Sequence, residues 1–234
     1  MKNKNRYLKI FTIEFIAASC IFLLSVLLFS IIANEVVVEN ENNFDYKVFR
    51  VIASYTSPFK TKVALFITFF GTGYFLIPAY ILTILYYARQ KMNGQAIVVG
   101  IVAVISLLSG WAFKDIFHRP RPLLPLISGA GGYSFPSGHS LGGFTFSGVI
   151  IYLLWRTTIP KYLKWTLSIL LVLFAFLIGL SRIYLRVHFA SDVMGSLLLT
   201  LVWLSISFIF LKAFENRSKR RNAELPNETK MFLF

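Results

Sequence analysis

The chain has 234 residues, 56% hydrophobic and 17% aromatic against 15% charged, with a formal net charge of +14. That balance excludes an ordinary water-soluble domain, in which about a quarter of the residues are charged, and indicates an integral membrane protein. The single cysteine, Cys20, excludes an intramolecular disulfide and a cysteine metal centre.

A helix rising 1.5 Å per residue crosses a hydrocarbon core of about 30 Å in about 20 residues. Six charge-poor stretches suit that length, at 10–33, 63–88, 95–113, 141–155, 163–180 and 193–211. They lack period-2 alternation and so predict helices rather than barrel strands. The expected architecture is all-α: one membrane-embedded domain over residues 1–234, with six transmembrane helices and a polar basic tail at 213–234. The first stretch follows "MKNKNRYLK", is too long for a signal-peptide core and has no small-x-small cleavage site, so it reads as an uncleaved helix. Glu14 lies near its cytoplasmic end, where it can reach water or a polar neighbour; a proton or ion path is the alternative reading.

Residues 34–62 balance four acids against four bases. Phe44, Val48, Val51, Ile52 and Tyr55 recur there at helical spacing and predict a short helix lying on the membrane surface or against the bundle. In the second stretch, Gly71, Gly73 and Pro78 suit close packing or a bend. With six alternating spans, 15 of the 24 basic residues fall on the side of both termini, which the positive-inside rule makes cytoplasmic. The tail "ENRSKRRNAELPNETK" then suits anionic lipid better than nucleic acid.

On the opposite face Lys114, Arg119, Arg121, Arg182 and Arg186 stand against that rule, in two short loops at helix ends. Cations kept there imply an anion site. "KDIFHRPRP" (114–122) places Lys114 two helical turns before Arg121, with prolines to turn the chain back over the bundle. "GGYSFPSGHS" (131–140) enters the fourth stretch, where Ser137, Gly138 and the helix-start N–H groups offer donors to an anion beside His139. The preceding "SGAGGY" reads as a flexible connector rather than a phosphate cradle. In "SRIYLRVHFASD" (181–192), His188 and Asp192 are four apart and share a face if the last helix starts by 188. A carboxylate there fixes the imidazole tautomer and leaves the other nitrogen free to attack.

Lys114 with Arg121-Pro122, then Pro136-Ser137-Gly138-His139, then Ser181-Arg182 with His188 and Asp192, resembles the three-part signature of the type 2 phosphatidic acid phosphatase superfamily. The resemblance implies a membrane lipid phosphate phosphatase working through a phosphohistidine. His188 would attack phosphorus, Asp192 would orient its ring, and His139 would protonate the leaving oxygen. Lys114, Arg121, Ser137, Gly138 and Arg182 would bind the phosphate. Phosphatidylglycerol phosphate, phosphatidate and undecaprenyl diphosphate are the candidate substrates, with the site at the outer face of a bacterial plasma membrane.

No cofactor and no metal are expected, because Asp115 and Asp192 are the only hard oxygen ligands near the cationic segments. His118 is outside the signature and reads as a loop residue. A phosphotransferase is the alternative enzyme. A transporter is a further alternative, but it needs ionisable groups near the midplane of several helices, where these spans carry almost none.

Overall fold

The computed structural model describes the backbone of residues 2–224 and the side chains of residues 13–211. Within those residues the chain is helical, without strands. Helix α1 (Lys2–Ala33) continues through one wider π turn, Asn34–Val38, and is followed by a short α2 (Asn43–Ala53). Then come α3 (Pro58–Phe69), α4 (Gly73–Arg89), α5 (Asn93–Phe117), α6 (Gly138–Trp155), α7 (Lys161–Tyr184) and α8 (Ala190–Glu224). The tail beyond Glu224 lies outside the described residues.

Five segments are long and apolar enough to cross a membrane: Ile13–Val38, Pro58–Arg89, Asn93–Phe117, Lys161–Tyr184 and Ala190–Leu211. Their outward faces carry large apolar side chains such as Leu23, Leu27, Phe66, Leu82, Leu107 and Leu173, which is what a lipid-facing surface needs. Helix α6 is not among the five. It is the central helix, packed against α4, α5, α7 and α8, and it buries Ser140, Thr145 and Ser147 with Leu141, Phe144 and Val149. Thr145 bonds Ser106 of α5 at 3.1 Å and Thr200 of α8 at 3.2 Å, so its hydroxyl is satisfied inside the bundle.

The second predicted span is two helices rather than one. The chain breaks at 70–72 between α3 and α4, and Thr72 caps the new start by accepting the Phe75 N–H at 3.3 Å. Pro78 sits inside α4 without ending it. Gly71 lies at the break, where a Cβ would come within 3.0 Å of both Cβ and the carbonyl oxygen of His139 and 2.8 Å from Ile178. Glycine is therefore what lets this corner press against the first turn of α6.

Helix α2 exists as the spacing predicts, but rotated. Val48, Phe49 and Ile52 pack against α7 and α8, while Phe44, Val51 and Tyr55 are exposed. Asp45 heads the inward face and is buried. Apolar residues facing lipid or solvent and apolar residues facing protein give the same periodic signal, so spacing alone does not fix the phase of this helix.

Candidate active site

The three cationic segments converge beside the start of α6. Arg121 reaches across the chain: its Nε donates to the carbonyls of Gly131 and Gly132, each at 3.1 Å, and its Nη1 to that of Val187 at 2.7 Å. Lys114, in the last turn of α5, donates to the Tyr133 carbonyl at 2.6 Å. Both cations therefore hold the main chain of 131–134. The glycine-rich run is neither a loose connector nor a phosphate cradle, since it offers carbonyl oxygens that bind cations. Gly132 has φ +72°, a conformation glycine adopts without strain.

His188 does not lie on the last helix. Helix α8 starts at Ala190, and His188 sits in the turn before it. The pair still forms, with His188 Nδ1 3.3 Å from Asp192 Oδ2. The reason is a helix cap: Asp192, in the first turn of α8, reaches back to accept the Phe189 N–H at 2.8 Å, and this folds its carboxylate over the preceding turn. Ser134 donates to the same oxygen.

The other ring nitrogen, Nε2, is 3.2 Å from Arg121 Nη1. A guanidinium only donates, so Nε2 is the acceptor and Nδ1 carries the proton that goes to Asp192. Burial pushes the His188 imidazole down to about 4, with the Asp192 carboxylate acting in the opposite sense and Arg121 and Lys114 lowering it further. The ring is thus neutral at neutral pH, with a bare Nε2. Burial also lowers the Arg121 guanidinium from its ordinary value, against the pull of Asp192, and it stays cationic.

Arg182, in the last turn of α7, is buried and donates through Nη1 to Thr68 at 2.8 Å. Its Nε is buried with no hydrogen-bond partner, one of two such side-chain atoms among the described residues; Tyr80 Oη is the other. Ser137 stands just before the start of α6, fully buried, and its hydroxyl makes no cap bond to the helix backbone but lies 2.8 Å from that of Ser140. Gly138 opens α6 and is exposed, and a Cβ there would meet nothing within 4 Å, so protein packing does not demand the glycine. His139 is half-buried and lines, with Lys114 and Gly138, one end of a cavity of about 470 Å³. The remaining walls are mostly apolar residues of α4, α5 and α6, including Leu76, Ile81, Val104 and Trp111, with Tyr80 and Ser106 among them.

Arg119 is not part of a free cationic cluster. It is buried, its Nη1 2.6 Å from Asp192 and its Nη2 2.8 Å from Asp45, with Phe189 stacked 4.2 Å from the guanidinium. Asn42 accepts a further bond from it at 2.6 Å. The sequence reading missed Asp45, Asn42, Ser134 and Ser191 and misassigned Arg119; the signal available was Asp45 at i, i+3, i+4 and i+7 with Val48, Phe49 and Ile52. Arg186 stays outside this constellation, half-buried with φ +56°. His118 is the left-handed cap of α5, its ring against Tyr133 with centroids 4.4 Å apart. Among the described residues no three His, Cys, Asp or Glu side chains stand close enough to hold a metal ion.

Comparison with known proteins gives a consistent result. The model of the PAP2 superfamily matches residues 94–215. Phosphatidylglycerophosphatase B of Bacillus subtilis is 28% identical over 198 residues, covering 83% of this chain and 94% of its own. An undecaprenyl-diphosphatase of Sulfolobus acidocaldarius is 30% identical over 189 residues, covering 79% of this chain and 86% of its own. In structure the chain is similar to the crystal structure of the transmembrane PAP2-type phosphatidylglycerolphosphate phosphatase from Bacillus subtilis. That likeness has a TM-score of 0.73 at 26% identity, over 83% of this chain and 96% of that one.

Proposed function

The chain belongs to the PAP2 superfamily of lipid phosphatases, and on that premise we propose that it hydrolyses a terminal phosphate from a membrane lipid, with His188 as nucleophile. The observation that carries the assignment is the environment of His188: proton on Nδ1 toward Asp192, bare Nε2 toward Arg121. Such a ring is set to attack an electrophile that arrives with negative charge for the guanidinium to bind.

In this reading Arg121 leaves Nε2 for a non-bridging oxygen as the phosphate enters. The unpaired Nε of Arg182, Lys114, Ser137 and the Gly138 N–H at the helix start take the others. The Nε2–P bond forms while the bond from phosphorus to the lipid oxygen breaks. The electron pair leaves on that oxygen, which takes a proton from His139. Water, deprotonated by His139, then displaces phosphate from the phosphohistidine. A buried donor with no partner costs about 1–3 kcal/mol, a cost a bound phosphate oxygen removes at Arg182.

The apolar cavity ending at Lys114, Gly138 and His139 supports a lipid substrate, since a hydrocarbon tail can lie along α4, α5 and α6 while its phosphate reaches the cations. The names of the relatives favour phosphatidylglycerol phosphate and undecaprenyl diphosphate as candidates, and phosphatidate remains one. The wider architecture is part of the proposal: one domain, α6 as a sixth crossing, both termini and the basic tail cytoplasmic, and the site at the outer face of a bacterial plasma membrane. Burial of α6 on several sides supports the sixth crossing, because a helix that touches little lipid tolerates serines and threonines.

The test is phosphate release from those three lipids by purified protein and by His188→Ala, with and without a chelator. Hydrolysis of at least one lipid by wild type, lost in the variant and kept in chelator, is expected. No hydrolysis of any of them removes the proposal, and loss in chelator that magnesium restores removes its metal-free mechanism. Transfer to an added alcohol instead of free phosphate favours the phosphotransferase.

A further inference from the structure

Asp45 is 1% exposed, yet it belongs to the outer-loop helix α2, outside residues 94–215 and outside the three-part signature. Its Oδ1 accepts the Ser191 N–H at 2.9 Å, capping the first turn of α8 from another element. Its Oδ2 accepts Arg119 Nη2 at 2.8 Å, while Arg119 Nη1 donates to Asp192 Oδ1 at 2.6 Å. Ser191 Oγ joins the two, accepting from Arg119 Nη1 at 2.8 Å and donating to Asp45. Asp45, Arg119, Asp192 and His188 therefore form one buried hydrogen-bonded chain.

We propose that Asp45 is a positioning residue for phosphoryl transfer, acting through Arg119 to hold the Asp192 carboxylate and to keep net negative charge beside His188. The inference rests on His188 being the nucleophile. The charge argument is short. Arg119 with Asp192 alone is a neutral pair, which does little for a cation next to it. Shared between two carboxylates, the same guanidinium leaves the trio one unit negative. When Nε2 bonds to phosphorus while Nδ1 keeps its proton, the ring becomes cationic, and in a dry site that one unit stabilises it. The other groups near the ring are Ser134, Arg121, Lys114 and His139, and none of them supplies negative charge.

The experiment compares wild type, Asp45→Asn, Arg119→Gln and the double variant, each shown monodisperse in detergent. Asp45→Asn is expected to lower kcat by roughly tenfold to a hundredfold with little change in KM. Arg119→Gln should also be impaired, because it leaves two carboxylates facing each other. The double variant restores a net charge of −1 and should be several-fold faster than Asp45→Asn; a purely structural role makes it no faster. Histidine-selective NMR adds a readout independent of substrate: the His188 titration should move to lower pH in Asp45→Asn. Wild-type kcat in Asp45→Asn, an unmoved His188 titration, or a double variant no faster than the single one overturns the inference. If wild type released no phosphate from any lipid, the proposed function would fall while the NMR arm still decided this one. Should Asp45→Asn not fold, the double variant carries the test, with kcat expected within about tenfold of wild type and a larger loss overturning the inference.

Discussion

Arg121 Nη1 stands 3.2 Å from His188 Nε2 while Asp192 Oδ2 stands 3.3 Å from Nδ1 of the same ring, so the two nitrogens face opposite charges. This polarity fixes one tautomer. Asp192→Asn can present an amide N–H to Nδ1, which drives the proton to Nε2 and blocks attack. We expect kcat to fall by about 10³-fold or more with KM much less affected, the size of effect a wrong tautomer has in serine hydrolases. Steady-state phosphate release from a short-chain lipid phosphate measures it, and a loss below tenfold would show that Asp192 does not set the tautomer.

The buried neutral histidine also makes stability depend on pH. Its folded value, about 4, lies below the unfolded value of about 6.5. Between the two, the unfolded chain binds the proton that the folded protein excludes. Stability therefore falls as pH drops from about 6.5 to about 4 and is unaffected by this group above about 6.5. His188→Ala lacks this pH dependence. The difference in Tm between wild type and His188→Ala should drift against wild type through that window, and a parallel pair of Tm curves would contradict the burial argument.

Arg121 bonds three carbonyls and the histidine through one planar fork, a geometry that an ammonium cannot copy. Arg121→Lys should lower kcat/KM by about 10²-fold or more. His118→Ala, which alters an exposed helix cap, should stay within a few-fold of wild type. Kinetics of the two side by side separate a phosphate clamp from general sensitivity of this loop; equal losses would remove Arg121 from the clamp.

Much of this site was legible because charge is scarce in the sequence. Lys114, Arg121, Arg182, His188 and Asp192 stand out against apolar spans, and the structure brings them together. Asp45 was not legible, since it lies among the balanced charges of residues 34–62, where a carboxylate normally meets water. The phase of α2 was lost for a related reason: Phe44, Val51 and Tyr55 are as apolar as the residues that pack inward. Arg119 looked like one more outer cation because sequence spacing does not show a carboxylate 74 positions away. Gly71 and Gly73 mark close packing or a bend at 70–72 in the sequence, but not a full break, because both flanks are apolar enough to read as one span.

That break gives the last prediction. A Cβ on Gly71 would lie 2.8 Å from Ile178 Cγ2 and 3.0 Å from both Cβ and the carbonyl oxygen of His139. The Ile178 methyl can rotate aside, but the His139 atoms belong to the first turn of a helix buried on several sides and cannot move alone. Gly71→Ala should therefore shift the proposed proton donor as well as overpack the corner, at a stability cost of about 1–3 kcal/mol. A displacement near 1 Å at a reacting group can cost up to about 10²-fold, so kcat should fall by about tenfold or more. Gly73→Ala is the control, because its Cβ meets only Ile77 Cδ1 at 3.6 Å, an ordinary contact. If both variants keep wild-type kcat, the corner at Gly71 does not set the position of His139.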